Sequence, residues 1–391
     1  MDFQLWWLLA FPLFFALGWV AARVDIGHVV RDSRSLPRSY FKGLNFLVNE
    51  QPDKAIEAFL EAVKVDPQTI ELHFALGSLF RRRGETDRAI RMHQSLAERE
   101  DVSDDQRLQA LVELGQDFLK AGLLDRAEAT FLLLKGSALD ESALGFLLEI
   151  YQQEKDWQKA IDVARLQQER TGHLMHREIA NFHCELAAQE IANSHPEAAR
   201  PLLEAALGSN RRSVRATVML GDLESAVGNT ELAMEIWKRV EQQNPVYLAL
   251  VAVRLLEAHR KLGRVIQGLQ LLQGYLESHP SLDLLDTVYQ CQQEINGPEA
   301  AYQCVRDEVK RNPTLLGLDK MLEARLPFVT PENRADLELV RSLVHNHTRR
   351  VARYRCDHCG FKARQFYWRC PACGGWETYP PKRTEEFDLA P

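Results

Sequence analysis

The sequence predicts an all-α solenoid of helical hairpins, preceded by a transmembrane helix and followed by a small four-cysteine metal knuckle. Three observations carry this expectation. Residues 3–22 hold no charged side chain, small residues recur at a period near 34, and two Cys-x2-Cys pairs fall within 18 residues. With 391 residues, 46% hydrophobic and 26% charged, the chain can bury a sizeable core, which excludes wholesale disorder. A net charge of -7 excludes a molecule that binds nucleic acid through bulk charge, and seven cysteines are too sparse for a disulfide-built scaffold.

The first element is residues 1–22. At about 1.5 Å per residue, the uncharged run from Phe3 to Ala22 spans a hydrocarbon layer of roughly 30 Å. Trp6, Trp7 and Trp19 lie toward its ends, where indoles favour the interface. A cleaved signal would need a basic start, and Asp2 is the one charge before the run. Arg23, Arg31, Arg34, Arg38 and Lys42 follow it and no Lys or Arg precedes it, so everything after residue 23 is expected in the cytoplasm. Residues 23–36 then read as a basic juxtamembrane linker facing anionic headgroups. Cys184, Cys291 and Cys304 fit free thiols in that reducing compartment.

Residues 37–314 read as about eight helical hairpins. Gly43 is followed by Ala55, Phe59, Ala62 and Pro67; Gly77 by Ala89 and Leu96; Gly115 by Ala127 and Phe131; Gly221 by Ala233, Trp237, Val240 and Pro245. Weaker copies start at Leu148, Ala187, Leu256 and Tyr289, so the starts are spaced by 34, 38, 33, 39, 34, 35 and 33 residues. A small residue in each of two helices lets their backbones approach, and the large residue at offset +16 fills the space beside them. Proline at +24 ends the second helix, because the residue before it is biased away from helix. The pattern resembles the tetratricopeptide repeat. That resemblance implies protein partners held in a groove, and a body charge of -13 over residues 43–344 favours basic segments. The wider spacings imply longer helices or loops near residues 98–106 and 170–178. Residues 315–348 read as a helical connector broken at Pro327 and Pro331.

No catalytic constellation is expected. The body lacks a Gly-rich phosphate loop, an HExxH pair and a GxSxG elbow, and His345-Asn346-His347 has no nuclease context. The body histidines read as packing or surface residues.

Residues 349–383 carry Cys356-x2-Cys359-x10-Cys370-x2-Cys373. Two such turns aim four sulfurs at one point and suit a single iron or zinc ion, which the sequence does not distinguish. The glycine after each second cysteine, Gly360 and Gly374, permits positive φ. The pattern resembles a rubredoxin-type knuckle pair with a shortened spacer, expected to form a small hairpin. Tyr354, Phe361, Trp368 and Trp376 are the expected apolar lining. Four thiolates leave no open coordination position, which argues against metal hydrolysis. The segment 345–383 is basic at +7, and residues 384–391 form an acidic tail of -3.

The order of parts, ending in YRCDHCGF and WRCPACGGW, resembles the bacterial lipopolysaccharide assembly protein B family along the whole chain. The resemblance implies a non-enzymatic inner-membrane adaptor facing the cytoplasm. It would bind proteins through its repeats and promote turnover of the deacetylase that commits precursor to lipid A. Its implied partners are a membrane-anchored ATP-dependent protease and other lipopolysaccharide-pathway proteins, with Cys356, Cys359, Cys370 and Cys373 as metal ligands. A homo-oligomer is compatible with the sequence, and nucleic acid is not an expected partner. The alternative class is a membrane-tethered, metal-dependent RNA-binding or electron-transfer protein.

Overall fold

The computed structural model describes residues 38–65, 69–349 and 353–383. The expected anchor at 1–22, the linker at 23–36 and the tail at 384–391 lie outside the described residues. Among the described residues, no helix is long and apolar enough to cross a membrane.

Helices follow one another in pairs: α1 (Arg38–Val48) and α2 (Pro52–Val65), α3 (Ile70–Arg83) and α4 (Thr86–Glu98), α5 (Asp104–Lys120) and α6 (Leu124–Leu132). Then come α7 (Asp140–Glu154), α8 (Trp157–Thr171), α9 (His176–Ala192), α10 (Pro196–Ser209), α11 (Val214–Val227), α12 (Thr230–Gln243), α13 (Leu248–Lys261) and α14 (Val265–Ser278). The long α15 (Leu282–Arg311) is two helices merged across Gly297, whose φ of +84° breaks the spiral just before Pro298. It supplies both arms of the last hairpin. After it come α16 (Leu315–Arg325), a 3-10 turn at Leu326–Phe328 and α17 (Pro331–Thr348). Two short strands, β1 (Tyr354–Arg355) and β2 (Lys362–Ala363), form the only sheet among the described residues.

The extra residues of the wider spacings go partly into the helices α5 and α9, each 17 residues long. Ser103 opens α5 with a reciprocal capping box to Gln106. Side-chain caps from Asp156, Ser213 and Thr314 open α8, α11 and α16.

The chain divides into two compact units at Ile150/Tyr151. In the first, Phe59 lies against Gly43 and Phe131 against Gly115, so closely that a Cβ on either glycine would come within 2.5–2.6 Å of a ring carbon. The paired alanines Ala55, Ala89 and Ala127 are fully buried. The second hairpin departs from this scheme. Its +16 residue is His93, buried against Gly77, with Nδ1 2.5 Å from Asp117 Oδ2 on α5. Arg81 donates to the other Asp117 oxygen at 2.8 Å and also reaches Glu113. A polar network therefore fastens one hairpin to the next.

In the second unit, Trp237 fills the space beside Gly221 and donates from Nε1 to Val218 O at 3.3 Å. One apolar core runs from Val214 to Ala324, centred on Leu255, Leu272, Leu284 and Val288.

Candidate metal centre and its docking face

Each knuckle is a tight turn held the same way. Gly360 N donates to Cys356 O at 2.9 Å, and Cys356 N to Phe361 O at 2.8 Å. Gly374 N donates to Cys370 O, and Cys370 N to Gly375 O, both at 2.9 Å. Gly360 and Gly374 adopt φ of +74° and +70°. An antiparallel pairing flanks each turn: β1 with β2 around the first, and Arg369 with Trp376 around the second. The hairpin thus closes over the first knuckle, not within the spacer as the sequence reading expected.

These turns bring Cys356, Cys359, Cys370 and Cys373 together, with all sulfurs within 4.8 Å of one another. Sγ of Cys356 lies 3.8 Å from that of Cys373, and Cys359 Sγ 3.7 Å from Cys370 Sγ. A tetrahedron with metal–sulfur bonds of about 2.3 Å has an edge of about 3.8 Å, so the donor set fits one tetrahedral ion. Among the described residues it is the one cluster of three or more metal-type ligands. Cys356 and Cys370 are buried, whereas Cys359 and Cys373 are exposed.

The two buried thiols differ. Burial raises the Cys356 pKa, but the Thr378 hydroxyl and the N–H groups of Cys359 and His358 outweigh it and pull the thiol down to about 6. Burial pushes Cys370 up to about 12. A divalent ion would hold all four as thiolates, which ties ribbon folding to metal binding.

The ribbon's own core differs from the sequence reading. Tyr354, Cys356, Cys370 and Tyr379 form it, with Phe361, Phe366 and Tyr367 packed around them. Tyr379 is fully buried; its hydroxyl accepts from Ala363 N and shares its one proton between the carbonyl oxygens of Tyr354 and Ala363, at 3.1 and 3.3 Å. Trp368 and Trp376 turn outward onto the repeats.

Trp376 packs edge-on against Trp157 and Phe182, with ring centroids 6.2 and 6.1 Å away, and lies beside the guanidinium groups of Arg215 and Arg369. Trp368 stacks on Tyr247 at 5.5 Å with a 2° interplanar angle. Asn181 Nδ2 donates to Glu377 Oε1 at 3.0 Å, and Arg369 donates to Gln152 at 3.2 Å. Burial raises the Glu377 pKa, partly offset by that Asn181 bond. At the far side, Asp283 accepts from Tyr354 Oη at 2.6 Å and from Arg383 at 2.7 Å. Asn181, Arg215 and Asp283 each stand six residues before the start residue of their repeat. These three lie on the first helices of their hairpins, whereas Trp157 opens the second helix α8 and Tyr247 ends the 3-10 turn before α13. Sequence reasoning missed all of these repeat positions. The recurring polar residue at offset -6 is a signal that could have found three of them, Asn181, Arg215 and Asp283.

Of the remaining singled-out residues, Cys184 is buried and its thiol pushed up to about 12 by burial. His345 Nδ1 lies 2.7 Å from Asp319 Oδ2.

Two family profiles match the chain. One, described as a rubredoxin metal binding domain, covers residues 354–381; the other, a tetratricopeptide repeat, covers 42–101 and 185–247. Lipopolysaccharide assembly protein B of Escherichia coli K12 is 36% identical over 383 residues, spanning 96% of this chain and 97% of its own. The chain belongs to the lipopolysaccharide assembly protein B family. The Haemophilus influenzae lipopolysaccharide assembly protein B is 29% identical over 97% of this chain and 98% of its own. Both alignments run the length of this chain, through the repeats and the ribbon, and are not confined to one module. A solved tetratricopeptide repeat protein from Parabacteroides merdae is 14% identical over 74% of this chain, with a TM-score of 0.35. The repeat assignment rests instead on the family profile and on the packing at Gly43, Gly115 and Gly221.

Proposed function

We propose that this protein is a non-enzymatic adaptor of lipopolysaccharide synthesis, tethered to the inner membrane by residues 3–22 with its bulk in the cytoplasm. Its repeats hold protein clients beside a membrane-anchored ATP-dependent protease and promote proteolysis of the deacetylase that commits precursor to lipid A. Full-length kinship to proteins named for lipopolysaccharide assembly is the observation that carries the reading. Cys356, Cys359, Cys370 and Cys373 would hold one iron or zinc ion, which supplies a structural cross-link. Four thiolates fill a tetrahedral ion and leave no position for substrate, so the ribbon is suited to shape a surface. A tether raises the effective concentration of other membrane proteins without adding a contact.

The test is an affinity capture from detergent-solubilised membranes, with wild type, Cys370→Ser and a chain lacking residues 1–22. The intact chain is expected to retain the protease and the deacetylase, and both variants to lose them. Retention of neither by the intact chain overturns the proposal.

A further inference from the structure

Docking uses one side of the ribbon and leaves the other to solvent. In the hairpin, Arg355 stands directly opposite Lys362, and both are exposed. Like charges facing each other across a strand pair are destabilising. A hairpin with two residues per strand has little stability to spare. Arg364, two residues beyond Lys362, is exposed as well. Arg355, Lys362 and Arg364 have no acidic partner among the described residues. Across residues 353–364 the single carboxylate is Asp357. The neighbours Tyr354 and Ala363 turn the other way: Tyr354 reaches Asp283, and Ala363 is held by Tyr379. The hairpin is thus two-sided, with the cations gathered on the face away from the repeats.

We propose that this cationic face docks on the anionic headgroup surface of a bilayer. The character of the face selects that partner. No Phe, Tyr or Trp of residues 353–383 is exposed, and the exposed His358 belongs to the first knuckle turn rather than to the strands of Arg355 and Lys362, so the face itself has no large ring on which a nucleobase could stack. It also lacks the large apolar anchors that centre a protein–protein interface. Tyr379 already takes the Ala363 N–H at 2.8 Å, so that position has no free donor for an added strand. What remains is an exposed cluster of two guanidinium groups and one ammonium, and guanidinium pairs bidentately with phosphate. The attraction is about 1 kcal/mol per cation near an anionic membrane. That is weak for a free protein but effective for a tethered one. The inference rests on the membrane anchor proposed above for residues 3–22.

The full chain is placed in nanodiscs of neutral phosphatidylcholine and in others containing anionic phosphatidylglycerol. Acylation of Lys362 is followed by mass spectrometry, with the exposed Lys261 as internal reference. Lys362 is expected to react several-fold more slowly in anionic discs. High salt and the double variant Arg355→Glu/Arg364→Glu are each expected to abolish the protection. Equal rates in the two discs overturn the inference. So does protection in neutral discs by poly-glutamate or inorganic phosphate without protection by anionic lipid, which would assign the face to an acidic protein or a free anion. A chain that fails to co-purify with the discs defeats the anchor itself, a separate failure from unprotected Lys362 in a chain that inserts.

Discussion

The hydroxyl of Tyr354 donates a 2.6 Å hydrogen bond to Asp283 Oδ2, while Arg383 holds Oδ1 of the same carboxylate at 2.7 Å. One residue of the last hairpin thus grips both the start and the end of the ribbon. Asp283→Ala leaves a phenol and a guanidinium without their acceptor. The expected cost is about 1.5–3 kcal/mol, the range for hydrogen bonds to charged groups. Hydrogen exchange should show faster exchange at residues 354–363, with Tyr354→Phe showing a smaller effect. Unchanged protection in Asp283→Ala would mean the aromatic contacts alone hold the ribbon.

Trp237 occupies the space where a side chain at position 221 would stand. Gly221→Ala gains about 1 kcal/mol of helix propensity but overpacks the core at about 1–3 kcal/mol. The net expectation is a lower thermal midpoint. Combining it with Trp237→Leu should recover part of the loss, as coupled neighbours do. Additive losses in the double variant would contradict the close approach.

Glu377 is a carboxylate whose pKa is raised in the folded state by burial. A raised pKa means the folded form holds its proton more tightly than the unfolded chain. That contribution to stability is fully present below the unfolded pKa, near 4.5, and is lost as pH rises through the folded value. At neutral pH the buried charge is therefore a cost. Glu377→Gln keeps an oxygen to accept from Asn181 and should raise the thermal midpoint at pH 7. The advantage should shrink as the pH falls toward 4.5. A variant less stable than wild type at pH 7 would show that the charge itself is needed, through Arg177 or Arg215.

Metal removal should unfold the ribbon and spare the helices, because the ribbon's small core depends on its cross-link. A strong chelator is expected to shift tryptophan emission to the red as Trp368 and Trp376 leave Tyr247, Trp157 and Phe182. Far-ultraviolet circular dichroism should barely change. Loss of helical signal in step with the emission shift would show that the ribbon supports the whole second unit.

The knuckle was legible because its four ligands sit at fixed short spacings, and the repeats because Gly43, Gly115 and Gly221 recur with their large partners sixteen residues on. His93 was harder to place. A histidine at an aromatic offset makes sense only with Asp117, which the next hairpin supplies. Docking was not legible at all. Tyr354 meets Asp283 across 71 residues, Glu377 meets Asn181 across 196, and Arg369 meets Gln152 across 217. No local periodicity encodes pairs that distant. Trp368 and Trp376 looked like lining for the same reason, and Tyr379, past the last cysteine, had no motif to mark it.

The ribbon's handholds run from Gln152 to Asp283. Stacked hairpins touch only their neighbours, so an unbraced array can stretch or coil a little at every joint. A rigid clasp gripping several joints at once removes that springiness from the second unit. Mechanical pulling between its first and last hairpins should therefore meet a stiff element that yields abruptly when the clasp lets go.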